Sequence, residues 1–178
     1  EADFRCGRSA AAYAEESAFR AENSALLDTF ESLVPAIPRR PRRLLDVGCA
    51  GGWLLKHARE RGWDGRGVEF SADAAARARG LGLEIFHGDL SGARYADGAF
   101  DLVYMGDVLE HVPDCRATLA EVARVLTPGG FLHLRGPITT NSLARRLALA
   151  AYGALGRTIV LREPPYHLWE FTPRTLEG

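Results

Sequence analysis

The chain has 178 residues, 47% of them hydrophobic, and a formal net charge of −1 at pH 7. That is enough apolar chain for a single globular domain with a sizeable core, and the near-neutral balance excludes the basic footprint of a nucleic-acid binder. Cys6, Cys49 and Cys115 are odd in number and scattered, so neither a disulfide framework nor a metal-ligand spacing is present, and a reducing cytoplasm is the expected compartment.

No secretory signal is visible, and no apolar run reaches the length of a membrane span. The longest, LALAAYGALG from Leu147 to Gly156, is too short and breaks at glycines. A chain that starts at Glu1 without a methionine is expected to be part of a longer one. From Ser9 to Val34, Tyr13, Ala14, Phe19, Leu26, Leu27, Phe30 and Val34 recur at helical spacing among polar residues. The proline-rich PAIPRRP then ends that helix. RRLLDVG (Arg42–Gly48) reads as a buried strand, and GGWLLKHARERG as a helix closed by Gly62. GRGVEF is a second strand. SADAAARARG is a second helix of this unit, with Ser71 as N-cap and Gly80 after its end. LEIFHGD is a third strand and FDLVYMG a fourth, the most apolar. CRATLAEVARVL is a helix, TPGG a turn and FLHLRGP a fifth strand.

Strands alternating with helices of this length imply right-handed crossovers and a parallel sheet. Ligands of such sheets bind beyond the carboxyl ends of the strands, where strand order reverses. Acids stand at those ends: Asp46 closes the first strand, Glu69 the second, Asp89 follows the third and Asp107 the fourth.

The glycine-rich turn LLDVGCAGGWLL raises the question of what lies against its backbone. A dinucleotide would require G-x-G-x-x-G. Counting from Gly48, the third position is Ala50 and the sixth is Trp53, an indole where a helix should press on a strand. Asp46 also opposes a pyrophosphate by charge, although a helix N-terminus favours anions. A ligand carrying an amine and a sulfonium would turn Asp46 into an attraction.

LLDVGCAGG resembles the D-x-G-x-G-x-G first motif of class I S-adenosylmethionine-dependent methyltransferases, with Ala50 at the middle glycine. GVEFS is similar to the second acidic motif of that family, YADGAFDLVYMGDVLEHV to its fourth-strand region and LTPGGFLHL to its fifth. The likeness runs from Leu44 to Pro137, with several motifs in the right order and at the right gaps. PPYHLWEFTPRTL is similar to a segment that follows the fifth strand in a small-molecule and sugar-modifying branch.

The resemblance implies a Rossmann-like, doubly wound α/β fold and S-adenosyl-L-methionine as cofactor. It places Gly48, Ala50 and Gly52 along the methionyl part and Asp46 near its amine. Glu69 would accept the ribose hydroxyls, Phe70 would lie against the adenine, and Asp89 would take the exocyclic amine, with Leu90 at the ring edge. Met105, Gly106 and Asp107 would face the cofactor's centre and the substrate. HGDL also reads as an ordinary Asx turn at Asp89.

On this reading the chain methylates a small-molecule O- or N-nucleophile. The alternative is a non-catalytic cofactor-binding or partner-binding domain, and a nicotinamide-dependent reductase is disfavoured by Asp46 and Trp53. His111 and His167 are the candidate bases for a hydroxyl acceptor, because imidazole titrates near neutral pH; an anionic or amine acceptor would need none. His87 and His133 lie inside strand runs as packed or exposed residues.

Asp107, Glu110 and His111 could bind a divalent metal, and the pattern is similar to the E-x-x-E-H of some quinone-modifying relatives. Side chains of a short irregular turn seldom converge without further ligands. The expectation is therefore no metal, with Asp107 at cofactor or substrate, Glu110 capping a helix start and His111 packed on the loop.

NSLARRLALAAYGALG is expected to be a helix covering the site rather than a membrane-surface helix. The whole chain, 1–178, is read as one domain: an N-terminal helix and linker (1–41), a cofactor-binding core (42–137) and a substrate-side segment (138–178). Thr172 and Pro173 look like the start of a helix that runs out at Gly178. The usual C-terminal antiparallel hairpin is thus expected to be missing, leaving five parallel strands, an exposed edge at the fifth and a stability below that of a longer form. No sequence feature specifies an oligomeric state.

Overall fold

The structure, a computed structural model, describes residues 17–38, 40–137, 154 and 167–176. Its elements in chain order are α1 (Ser17–Leu33), β1 (Arg42–Val47), α2 (Trp53–Glu60), β2 (Trp63–Glu69), α3 (Ala72–Gly80), β3 (Glu84–His87), β4 (Phe100–Gly106), a 3-10 turn (Leu109–His111), α4 (Cys115–Val125), β5 (Leu126–Arg135) and α5 (Pro173–Leu176). Tyr13 and, apart from the helical Ala154, the helix expected over 141–156 lie outside the described residues.

The five strands form one sheet in the order β3-β2-β1-β4-β5, every pair parallel. Successive strands run outward from β1 to β3, and the chain then returns to lay β4 on the other side of β1. The order therefore reverses between β1 and β4, which opens a crevice beyond their carboxyl ends.

Alternation along the strands sorts side chains to two faces. Leu44 of β1 and Leu102 of β4 join Leu27 and Phe30 of α1, Leu55 of α2 and Ala75 of α3 in one core. Leu45, Val68, Val103 and Met105 point the other way and pack with Val122 and Val125 of α4. Helices thus cover both faces, as the doubly wound reading requires.

Three boundaries differ from the sequence reading. β2 begins at Trp63, two residues early, because Trp63 pairs with Arg42 and its ring sits edge-on to Phe30, with centroids 6.4 Å apart. α3 includes Gly80, and the chain reverses after Leu81 through Gly82 at φ +73°. TPGG is an irregularity inside β5 rather than a turn before it: Phe100 pairs with Leu126 but Leu102 pairs with Phe131, and Gly129 at φ +78° absorbs the extra residues.

The opposite, amino end of the sheet is closed by Asp101. Arg40 donates to both carboxylate oxygens, at 2.7 and 2.9 Å, and the Arg43 backbone N–H donates at 2.9 Å. Burial disfavours the charge, but the hydrogen bonds from Arg40 and Arg43 outweigh it and hold the carboxyl at about 2.

This stabilisation is complete above the unfolded-chain value near 4 and is lost as pH falls through about 2. We expect Asp101→Asn to cost about 2 kcal/mol at pH 7, the scale of charged hydrogen bonds. The difference between variant and wild type should shrink between pH 4 and pH 2 in denaturant melts; a pH-independent difference would contradict the assignment.

Candidate active site

The glycine turn leaves β1 at the reversal point and is tied to its neighbour by main-chain bonds. Gly48 N and Cys49 N both donate to Val68 O, at 2.8 and 3.2 Å. Gly48 has φ +78°, and a Cβ there would lie 2.4 Å from Val108 Cγ2. Gly52 has φ +80°, and its Cβ would meet Leu83 at 2.6 Å and Ala78 at 2.9 Å. Backbone conformation and close packing therefore require both glycines before any ligand is considered. Ala50 adopts φ 47°, an uncommon conformation for a residue with a side chain.

Glu69, the last residue of β2, holds that turn in place. Its Oε2 accepts from Ala50 N at 2.8 Å, and its Oε1 accepts from Ser71 N at 2.7 Å. Its carbonyl accepts from Gly88 N at 2.9 Å. One residue thus joins the glycine turn, the start of α3 and the end of β3. Phe70 beside it is 70% exposed, a large apolar ring standing in solvent at the edge of the crevice.

Asp46 is buried on the face covered by α1, α2 and α3, between Gly67 of β2 and Tyr104 of β4. Burial first, and then the negative charge of Glu69, push its carboxyl up to about 8. The same burial and the same two acids push the Cys49 thiol up, so it stays protonated. Gly67 makes room for this cluster: a Cβ there would lie 2.6 Å from Cys49 Sγ and from Ile85 Cδ1. The sequence reading did not single out Gly67, although two glycines on one face of a strand signal close approach by a neighbouring element.

Asp89 is exposed, and its Oδ1 accepts from Gly92 N at 2.7 Å, the turn-forming bond its residue type favours. Leu90 and Met105 are 4% and 0% exposed in the core on the α4 side. Gly106 lies under the Tyr104 hydroxyl, 2.2 Å from where a Cβ would be. Asp107 turns at φ 55°, and its Oδ2 lies 3.4 Å from Arg135, which also donates to Glu22 of α1. Neither Arg135 nor Glu22 was read as a site residue, since nothing local relates positions 22, 107 and 135.

Trp53 opens α2 half-buried, with the Lys56 ammonium 5.2 Å from its ring centre. The indole is therefore not wedged between helix and strand, and the sequence argument against a dinucleotide from that position falls. The argument from Asp46 is weakened as well, because burial keeps its carboxyl protonated up to about pH 8.

Beyond β4, Glu110, His111 and His167 come together, each offering a ligand atom within 4.8 Å of the others. The two imidazoles sit edge to face with centroids 5.0 Å apart. Glu110 is 2% exposed, and its Oε1 has no hydrogen-bond partner among the described residues. Glu110 is thus a buried carboxylate aimed at two imidazoles, which corrects its reading as a helix cap. A carboxylate and two imidazoles are a donor set that suits zinc-like divalent ions. Asp107 stands apart, with Arg135.

Residues 18–178 match a family model described as a methyltransferase domain. Over 137 residues the chain is 36% identical to a ubiquinone biosynthesis O-methyltransferase of Caulobacter sp., covering 72% of this chain and 52% of that protein. Over 117 residues it is 33% identical to a norajmaline N-methyltransferase of Rauvolfia serpentina, covering 61% and 38%. The chain spans about half the length of the curated relatives it matches. Among solved structures, an S-adenosylmethionine-dependent methyltransferase of Archaeoglobus fulgidus superposes with a TM-score of 0.65 at 20% identity, covering 92% of this chain and 66% of the other. One from Mesorhizobium loti superposes with a TM-score of 0.52 at 28% identity, covering 62% and 52%.

The raised Asp46 carboxyl gives a signature in the ligand-free protein. Between the unfolded value near 4 and the folded value of about 8, the native state keeps a proton that the unfolded chain has lost. The contribution of Asp46 is therefore full below pH 4 and falls as pH rises to 8. We expect urea melts at pH 5, 6.5 and 8 to show this decline, and Asp46→Asn to flatten it; equal slopes would contradict it.

With the family model spanning nearly the whole chain and a five-stranded parallel sheet of the same architecture, the chain belongs to the class I S-adenosylmethionine-dependent methyltransferases.

Proposed function

We propose that this domain transfers a methyl group from S-adenosylmethionine to an oxygen or nitrogen of a small-molecule acceptor. The observation that carries the reading is the Glu69 carboxylate, held by two backbone N–H groups at the end of β2 beside the exposed Phe70 ring. A fixed acceptor pair next to an exposed aromatic ring suits a ribose with its attached base. The O- and N-methyltransferases among the relatives support both acceptor classes.

The cofactor supplies an electrophilic methyl group on a sulfonium. The chain's residues bind, orient and remove a proton. Gly48, Ala50 and Gly52 shape the turn against which the methionyl part would lie, and an ammonium near Asp46 would favour its ionised form and offset the negative charge of Glu69. A pyrophosphate there would instead add negative charge to two carboxylates. Asp89 and Phe70 would hold the adenine, and the main chain at Met105, Gly106 and Asp107 would border the reacting centre.

Orientation of donor and acceptor supplies on the order of 7–11 kcal/mol for well-aligned reactants. For a hydroxyl acceptor, His111 or His167 would take the acceptor's proton, while the bound cofactor would supply the methyl group. A divalent cation at Glu110, His111 and His167 is the second reading, favoured by the buried Glu110 Oε1, which has no hydrogen-bond partner among the described residues. Chelation followed by zinc or magnesium add-back separates the two, because only the second loses turnover on chelation.

We also place the core in 42–137, where all five strands lie, and the acceptor side in the chain that follows. A cytoplasmic setting is supported by Cys49 and Cys115, both free thiols.

Glu69→Ala should weaken S-adenosylmethionine binding at least about thirtyfold, roughly 2 kcal/mol, by removing two charge-assisted bonds and loosening Ala50. Titration calorimetry measures this, with NAD as control: tight NAD binding without S-adenosylmethionine binding would overturn the function. A screen of labelled-methyl transfer to phenols, catechols, sugars, quinones and amines identifies the acceptor. Cofactor binding with no transfer to any of them would favour the non-catalytic alternative. With an acceptor in hand, His111→Ala or His167→Ala should lower turnover with little change in cofactor affinity. Wild-type turnover in both would exclude either as the base.

A further inference from the structure

His167 lies 56 positions beyond His111 in the chain, yet their rings meet at 5.0 Å and 67°. What seats it is a short clip of hydrogen bonds. Leu168 N and Trp169 N both donate to the carbonyl of Glu110, at 2.7 and 3.2 Å. The Trp169 indole Nε1 donates to Val112 O at 2.8 Å. Two residues on, Phe171 packs against the core on the α4 side, and Thr172 caps α5 by accepting from Thr175 N at 3.3 Å.

The indole is 41% exposed, so burial alone does not explain a tryptophan here. Its N–H does: it crosses to the carbonyl of Val112, the residue that follows His111. Glu110 is bound from both ends, since its carbonyl receives the clip and its buried carboxylate faces the imidazole that the clip delivers.

We propose that Trp169 is a positioning residue for acceptor-side chemistry, holding His167 against His111 through its indole N–H on Val112 and its main-chain N–H on Glu110. The inference rests on the acceptor-side role of the two histidines given above. It makes that side of the site a product of docking: His167 is in place only when residues 168 and 169 are clipped to the 3-10 turn. Trp169→Phe is the informative variant, because it keeps an aromatic ring and the main-chain bond and removes only the indole donor.

The first readout needs no acceptor. In histidine-selective proton–carbon NMR spectra, His167→Ala should move the His111 Cε1–H signal by removing the adjoining ring. Trp169→Phe should move the same signal in the same direction by a smaller amount, with the backbone amide spectrum of the sheet unchanged. The second readout is turnover with catechol as methyl acceptor. Trp169→Phe should lower kcat about threefold to tenfold, the range for one lost hydrogen bond, with S-adenosylmethionine affinity unchanged. In a His167→Ala background it should cause no further loss, since coupled residues are non-additive.

A His111 signal identical to wild type in Trp169→Phe, or an equal loss of kcat with and without His167, would overturn the proposal. If wild type does not methylate catechol while S-adenosylmethionine binds, the acceptor class is wrong, and the spectral comparison alone still decides whether Trp169 seats His167.

Discussion

The site depends on one carboxylate fixed by two backbone donors. Glu69 accepts from Ala50 N on one side and Ser71 N on the other, and its carbonyl receives Gly88 N. Without that bridge, the turn after β1 would be held to β2 chiefly by the two bonds from Gly48 and Cys49 to Val68 O. Ala50, in a left-handed conformation, would then have little to offset its strain. A charge-assisted bond to its N–H supplies the compensation. The same interaction keeps the carboxylate itself from rotating, so the group that would receive a ligand's hydroxyls is already oriented. Fixing it before binding removes an entropic cost that a mobile side chain would incur at that moment.

The bridge has an electrostatic consequence. Glu69 lies close enough to the buried Asp46 to raise its carboxyl further than burial alone does. Tyr104, packed on the same face, is pushed up to about 12 by burial first and by Asp46 second. At the other side of the reversal point Arg135, at the end of β5, is shared between Asp107 and Glu22. The crevice is thus acidic where a cofactor's amine and ribose would lie and charge-balanced where strand β4 meets α1. That division favours a cationic ligand on the β1–β2 side, which a nicotinamide dinucleotide would not satisfy through its pyrophosphate.

Much of this was legible in the sequence because it is written locally. Asp46, Gly48 and Gly52 lie within seven consecutive residues, and Glu69 and Ser71 bracket the next strand end. Strand–helix alternation in one stretch of chain suffices to place them at one edge of a sheet. The failures were of two kinds. Trp63 and TPGG were misplaced because glycine-rich flanks look like turns, whereas pairing with β1 and β4 extends the strands through them. Glu110 was read as a helix cap, but its carboxylate is buried beside His111 and His167. Glycines at 48 and 52 also proved to be explained by φ and by contacts with Val108, Ala78 and Leu83. Their presence alone would not have established a ligand.

The acceptor side was less legible for a physical reason. Glu110 and His111 are near in sequence, but the third member of their cluster, His167, arrives from beyond β5 and is placed by hydrogen bonds to main-chain carbonyls. A bond to a carbonyl carries no residue-type signal at the accepting end, so neither Glu110 nor Val112 advertises the contact. The two halves of the site also differ in how change would propagate. Altering Gly52 or Glu69 would disturb packing against α3 and the turn that β1, β2 and β3 share. Altering the residues around His167 would disturb a clip resting on the outside of the 3-10 turn. A scaffold built this way can exchange its acceptor chemistry without re-forming the sheet, as function grafted on a stable fold requires.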